Sequence, residues 1–335
     1  MRHPVSTPRE RGASPHWAEI GESTFVAGMW FLYWVHKLFG RLPFRLCVYP
    51  VVLYYWATQG RARRASLDYL QRIETRFGVI GQPPGWRHTL RHFFSFAETI
   101  LDKTLALSGR YRFEQVQMVG AEPIARHIER GEGAVFITAH VGCLELCRAT
   151  AERQPGLRLN VLVHTAHAEQ FNRMLRRLDP GSGVHLMQVT EVNAATAVVL
   201  AEKVAQGEFV AIAGDRVPVV ASKTTSAQFL GAQAAFPVGP YVLAALLKCP
   251  VYLMGCVREG AGHAVYFDRL CDRVELPRGR REAALRQYTA VFVQRLEELL
   301  RRAPYEWFNF FSFWEQPAEA DRSPNAIAHH ETTTH

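Results

Sequence analysis

The sequence lacks the motifs that would assign it to a common enzyme class. Its six cysteines form no CxxC pair and no disulfide-framework spacing, which predicts buried thiols in a reducing compartment. There is no GxGxxG or GxxxxGK[ST] phosphate loop, and the absence of G-x-S-x-G argues against a serine hydrolase. His164 and His167 have no cysteine or acidic cluster nearby to complete a metal site. We therefore predict neither a metal nor a bound cofactor.

The sequence also lacks one clean transmembrane run. Two apolar stretches, 25–35 and 46–57, each supply about half of the roughly 20 residues that a span needs, and basic residues separate them. The stretches are rich in Trp and Tyr, and Arg61, Arg63 and Arg64 follow directly. This composition favours a segment lying at an anionic membrane–water interface. A pair of aromatic core helices is the alternative.

The chain is basic, with a formal net charge of +8 and a pI of about 9.3. Such a charge favours acidic partners, namely nucleic acid, an anionic membrane or an acidic carrier protein. No nucleic-acid-binding motif accompanies it, so we do not predict a nucleic-acid partner. The polar N-terminus is unlike a secretory signal, which places the body of the protein in the cytoplasm.

Hydrophobic patterning predicts an α/β fold with a mostly parallel sheet flanked by helices. Apolar strand-like runs alternate with helix-length segments beyond residue 130. The predicted strands are 134–138, 159–164, 184–189, 209–213 and 251–257, and the predicted helices are 143–154, 168–178, 193–206 and 280–302. The predicted organisation is a mobile tail over 1–16, a membrane-proximal helical region over 17–117, the α/β core over 118–314 and a second mobile tail over 315–335. The aromatic stretch 304–314 is predicted to pack in the core, with contact to lipid as the alternative.

His140 and Glu145 are the candidate catalytic pair. His140 follows the first predicted strand, and ligands collect at the carboxyl ends of parallel strands. Five residues on one regular helix would leave the two side chains about 140° apart. They can meet if His140 lies in a strand-to-helix turn that Gly142 permits, with Glu145 in the helix. Glu145 would then fix the imidazole tautomer, and the other nitrogen would act as a general base. A loop histidine without a catalytic role is the alternative.

Four motifs occur in order: TAHVGCLE (138–145), AIAGDRVPV (211–219), the segment 229–253, and EWFNFFSFW (306–314). Together they resemble the lysophospholipid acyltransferase superfamily and, within it, the lipid A biosynthesis lauroyl/myristoyl acyltransferases. Of the usual family motif HFGNWE, this sequence retains His140, Gly142 and Glu145. The aspartate–glutamine pair of the family corresponds to Asp215 and Arg216. These departures point to a divergent branch that acylates another glycolipid, aminolipid or polyene lipid.

The resemblance implies transfer of a fatty acyl group from acyl carrier protein or coenzyme A to a hydroxyl or amine of a membrane lipid. It implies a His140–Glu145 catalytic dyad, and Arg216 and Asp215 near the substrate, with Gly142, Gly231 and Gly239 shaping the site. It also implies association of the N-terminal region with the cytoplasmic face of the inner membrane. A thioester or lipid hydrolase using the same dyad, and a non-catalytic basic membrane-binding protein, are the alternatives.

Overall fold

The computed structural model describes residues 41–107, 111, 113–147, 156–163, 184–188, 194–217 and 223–315. Within these ranges the chain forms one seven-stranded sheet, a separate β-hairpin and helices packed around them. The predicted tail 1–16, the first apolar stretch 25–35, the predicted helix 168–178, and His164 and His167 all lie outside the described residues. Of the second predicted tail, 315–335, only Glu315 is described, and it ends a short 3₁₀ helix.

The main sheet has the predicted α/β character. Its strands, in spatial order, are β1 (Val116–Val119), β9 (Gly262–Cys271), β8 (Val251–Glu259), β2 (Val135–Gly142), β5 (Phe209–Ala213), β3 (Leu159–Val163) and β4 (Val184–Gln188). Strands β8, β2, β5, β3 and β4 run parallel, which confirms the prediction of a mostly parallel sheet. The central strands are nearly continuous apolar runs because both faces of the sheet are covered.

Two strands of this sheet were not predicted. β9 returns antiparallel beside β8 after a tight turn at residues 260–261, and β1 pairs parallel with β9. β9 is buried over residues 263–267, but its last residues are half-exposed or exposed. The short edge strand β1 has an exposed face and therefore little hydrophobic signal in the sequence.

Helices cover both faces of the sheet. They are α1 (Arg41–Thr58), α2 (Gly60–Phe77), α3 (Trp86–Leu107), α4 (Glu122–Arg130), α5 (Ala194–Ala205), α6 (Gly239–Leu247) and α7 (Arg281–Arg302). One apolar core holds residues of α2, α6 and α7, and a second core holds residues of α1 and α3. Both cores use alternate side chains of the same central strands, as the pleat requires. α5 and α7 lie where the periodicity predicted them.

The chain around Gly231 forms a β-hairpin. Strands β6 (Thr224–Phe229) and β7 (Ala232–Pro237) pair antiparallel, and Leu230 and Gly231 form a two-residue turn with positive φ at both positions. Such a turn matches the right-handed twist of the hairpin strands. Gly239 begins α6 with Pro240 in the first turn, a position that proline favours.

α1 is a single helix that includes the second apolar stretch, and Arg45 lies within it. None of the helices in the described ranges has the length and apolar content needed to span a bilayer. One side of α1 packs on α3 through Phe44 and Val48, and Arg45 pairs with Glu98 of α3 at 2.7 Å. The charge of Arg45 is therefore paired where α1 meets α3.

Candidate active site

The site is built at the carboxyl ends of three adjacent parallel strands. β2 contributes His140, the chain after β5 contributes Asp215 and Arg216, and β8 contributes Arg258. β2 and β5 pair from Val135 with Val210 to Thr138 with Ala213. Two residues beyond the last pair, this register brings His140 opposite Asp215.

His140 lies within β2, not in the predicted strand-to-helix turn. The register between β2 and β8 shifts between Thr138 and Gly142, and a bulge of this kind re-aims a side chain. The chain near the C-terminus supplies the missing backbone partner, since Phe308 N donates to His140 O at 2.9 Å. Gly142 N donates to Glu306 O at 2.8 Å. β2 is therefore longer than its apolar run because a distant segment pairs with its end.

Asp215, not Glu145, is the carboxylate that contacts the imidazole. The Nδ1 atom of His140 lies 2.8 Å from Asp215 Oδ1, and the backbone N–H of His140 donates to Asp215 Oδ2 at 2.9 Å. Glu145 instead pairs with Lys103 of α3 at 2.5 Å. The prediction that Glu145 fixes the tautomer of His140 is therefore wrong. Because His140 belongs to a strand, its ring faces the neighbouring strand and not residue 145.

Asp215 is held by four hydrogen bonds and is fully buried. Besides His140, Trp307 Nε1 donates to Oδ2 at 3.1 Å and Asn309 Nδ2 at 2.9 Å. Burial alone would raise the pKa of Asp215, but attraction to His140, the two hydrogen bonds from His140 and the charge of Arg216 hold it well below its ordinary value. The predicted substrate contact of Asp215 does not agree with this burial; the carboxylate lies behind the imidazole.

The protonation of His140 follows from this arrangement. An ionised carboxylate can only accept, so Nδ1 carries a proton in the neutral imidazole and Nε2 has a lone pair. Nε2 makes no hydrogen bond to any residue in the described ranges, and the His140 side chain is 31% exposed. The exposed nitrogen is therefore a proton acceptor at the protein surface, at the carboxyl end of the central strands.

Arg216 lies beside this pair. Its Nε donates to Asn309 Oδ1 at 2.7 Å, and its Nη2 donates to Phe308 O at 3.0 Å. Burial lowers the pKa of the guanidinium, and the charge of Asp215 opposes that shift. Arg216 thus remains a fixed cation at the same edge as His140.

A second ionic group lies on the other side of β2. Arg258 forms ion pairs with Asp102 and, more distantly, with Glu306, and its backbone N–H donates to Glu306 Oε2 at 3.0 Å. Burial raises the pKa of Glu306 to about 7. His263 adds a polar contact to Asp102 at 3.5 Å. This network anchors the end of β8 next to β2.

The segment Glu306–Asn309 belongs to the fourth motif, but its contacts with the residues around His140 were not predicted. Its backbone pairs with residues 140–142, and its side chains contact Asp215, Arg216 and the N–H of Arg258. The segment was predicted to be core, and Trp307 and Phe313 are indeed fully buried. Glu306 and Asn309 were the available signal, since two polar residues within a buried aromatic run need partners.

Cys143, inside the first motif, is a buried thiol. Burial raises its pKa well above the ordinary value, and the nearby charge of Glu145 adds to that shift. A thiol held in its protonated form is a poor nucleophile. The prediction of buried thiols is therefore confirmed for Cys143.

Gly142 has a structural requirement for glycine. Its φ is +56°, and a Cβ at this position would lie 1.8 Å from Cys256 O. Gly231 also has positive φ, at +81°, but a Cβ there would meet nothing within 4 Å. Gly231 and Gly239 belong to the hairpin turn and the start of α6, and no described contact joins them to His140.

We expect Gly142→Ala to destabilise the fold by about 3–5 kcal/mol, because backbone strain adds to a clash with a main-chain oxygen. Gly231→Ala is the matched control and should cost only about 1–2 kcal/mol, from backbone strain alone. Denaturant unfolding of both variants measures the difference. Equal losses of unfolding free energy in the two variants would show that β2 and β8 do not approach each other closely at Gly142.

Comparison with known protein families agrees with this architecture. The model of the family described as bacterial lipid A biosynthesis acyltransferase matches residues 97–316, well over half of the chain. The chain belongs to this family. A comparison with individual curated proteins found no significant match. The acyltransferase therefore acts on a lipid-type acceptor, and the matched range includes His140, Asp215 and the segment Glu306–Asn309.

Proposed function

We propose that this acyltransferase moves a fatty acyl group from a thioester, on acyl carrier protein or coenzyme A, to a hydroxyl or amine of a membrane lipid. The proposal places it at the cytoplasmic face of the inner membrane, with His140 as general base. The observation that carries the mechanism is the pairing of Nδ1 with buried Asp215, which leaves Nε2 as an exposed acceptor.

In the proposed step, Nε2 of His140 takes the proton of the acceptor hydroxyl or amine as that group attacks the thioester carbonyl carbon. A carbon–oxygen or carbon–nitrogen bond forms, and the carbonyl oxygen becomes negatively charged. The carbon–sulfur bond then breaks, and the leaving thiolate takes the proton from the imidazolium. The products are the acylated lipid and a thiol, and the base returns to its starting state.

Two further charged groups support this proposal. Arg216 is a fixed cation at the same edge, suited to stabilising the developing oxyanion or a phosphate of a substrate. Glu145 does not contact the imidazole, and we assign it instead to ordering the turn after β2 through its pair with Lys103. An uncharged side chain at position 216 could not stabilise the oxyanion or phosphate in this way, and one at position 145 could not form the ion pair with Lys103.

The reaction class is tested by measuring thiol release with and without a lipid acceptor. We expect release to depend on acceptor lipid and to match the amount of acylated lipid formed. Release of free fatty acid at the same rate without acceptor would instead identify a hydrolase. Both acyl carrier protein and coenzyme A thioesters are supplied, in separate reactions, to identify the donor.

We further propose that α1 docks on the membrane. Leu46, Pro50, Leu53 and Tyr54 form one exposed stripe on α1, opposite the side that packs on α3, and Leu46 is 76% exposed. Such a stripe of apolar side chains facing water is typical of a surface that meets a partner or a membrane. Arg61 and Arg64 are exposed just beyond it, which suits anionic headgroups.

Removal of residues 25–57 would detach the protein from membranes under this proposal, but it would also remove core residues of α1. We therefore expect the double variant Leu46→Glu with Tyr54→Glu to reduce vesicle binding at least tenfold while unfolding at the wild-type temperature. Flotation with anionic vesicles measures the binding. The control is Val198→Glu with Leu246→Glu, at exposed apolar sites on α5 and α6. Equal losses in both double variants would contradict docking through α1.

A further inference from the structure

Asn309 lies between the two charged groups of the site and is itself buried. Its Nδ2–H donates to Asp215 Oδ2 at 2.9 Å, while its Oδ1 accepts from Arg216 Nε at 2.7 Å. Exchanging the amide oxygen and nitrogen would place the NH₂ group against the N–H of Arg216 and the amide oxygen against the carboxylate of Asp215. The orientation of the amide is therefore fixed by its two neighbours.

The two oxygens of Asp215 have different partners. Oδ1 accepts from the imidazole, whereas Oδ2 accepts from His140 N, Trp307 Nε1 and Asn309 Nδ2. These three uncharged donors hold Oδ2 and so direct Oδ1 at the ring. Of the side chains among them, Asn309 is the one that also bonds to Arg216.

We propose that Asn309 is a positioning residue that couples the base to the cation of the site. It holds the carboxylate of Asp215 behind His140 and the guanidinium of Arg216 beside it. The base and the cation then act together at the carboxyl end of the strands. The inference rests on the proposed function, because it assigns Arg216 and His140 to the same reaction. Asn309 itself acts through Asp215 and Arg216 and not by contact with the reacting atoms.

Substitution with aspartate gives this inference a specific pH signature. A protonated Asp at 309 could still donate to Asp215 and accept from Arg216, as Asn309 does. Once ionised, it would place a second carboxylate against Asp215. Two buried carboxylates in contact share one proton up to an unusually high pH, because the second ionisation is opposed by repulsion.

The experiment measures kcat against pH for the full-length enzyme and its Asn309→Asp and Asn309→Ala variants. We expect Asn309→Asp to approach wild-type activity at the low end of the range and to lose at least tenfold as pH rises. Asn309→Ala should lose about 10–100-fold at every pH, since it removes both hydrogen bonds. A wild-type-shaped profile for Asn309→Asp would overturn the proposal.

Asn160→Asp is the matched control. Asn160 is also buried and donates to a carboxylate, Glu208 Oε2, at 2.8 Å, but it lies at the opposite end of the strands. This control should change the pH dependence of stability without changing that of kcat. The same loss of kcat with rising pH in Asn160→Asp would show that any buried carboxyl pair produces it, and would overturn the assignment.

A second readout does not require turnover. In histidine-labelled protein, we expect the ¹⁵N signals of His140 in Asn309→Asp to shift with the same midpoint as the loss of kcat. If the wild-type protein transfers no acyl group, the proposed function fails and this titration still tests the coupling. His140 signals identical to those of the wild type at every pH would overturn the coupling itself.

Discussion

Acyl transfer by the His140→Ala variant is expected to fall about 10²–10⁴-fold, the contribution of a positioned general base. Nε2 of His140 is the exposed acceptor at the site, and alanine offers no substitute for it. The side chain is partly exposed and its backbone bonds do not depend on its identity, so folding and vesicle binding should persist. Initial rates of lipid acylation at saturating thioester measure the effect.

His127→Ala is the matched control for this variant. His127 also contacts a carboxylate, Glu132 Oε2 at 3.0 Å, and a tyrosine hydroxyl, Tyr252, at 2.9 Å, but it belongs to α4. It lies near the start of β8, at the opposite end of the strands from His140. Loss of activity in His127→Ala equal to that in His140→Ala would mean that general destabilisation explains both.

Asp215→Asn should lower kcat by a comparable factor, about 10³–10⁴-fold, because it reverses the imidazole tautomer. Three donors converge on Oδ2, so an asparagine must place its amide oxygen there. Its NH₂ group then faces Nδ1 of His140, which must become the acceptor. The proton moves to Nε2, and the nitrogen that faces the substrate can no longer take a proton.

Glu145→Gln provides the comparison within the same motif. It removes the charge that pairs with Lys103 but leaves the Asp215–His140 contact intact, so we expect a smaller loss than in Asp215→Asn. Steady-state kinetics of the two variants under one set of conditions shows which of them loses more kcat. A larger loss in Glu145→Gln would restore Glu145 as the carboxylate that orients the base.

The sequence was sufficient to predict the parallel sheet, because its central strands are apolar on both faces and alternate with amphipathic helices. It was also sufficient to locate His140 at the carboxyl end of the first predicted strand. β1 was missed because most of its residues are exposed, and β9 because its buried run includes a histidine and ends in half-exposed and exposed residues. The hairpin β6–β7 was missed because its turn is Leu-Gly, which lacks the usual Asn or Asp signal.

The partner of His140 could not be predicted from local spacing. Asp215 is 75 residues away, and the two meet because β2 and β5 are neighbours in register. Strand order is a property of the whole fold, whereas Glu145 was near in sequence and therefore the obvious choice. Trp307 and Asn309 are farther still, and only the pairing of their segment with the end of β2 brings them to Asp215.

The lipids of cells that produce the wild-type chain, compared by mass spectrometry with those that produce His140→Ala, test the central claim most directly. Acyl transfer by His140 predicts one lipid class heavier by an acyl group in the wild type and lacking that group in the variant. Equal membrane levels of both proteins are the control. Identical lipid profiles, or an increase in free fatty acid alone, would contradict acyl transfer to a membrane lipid through His140.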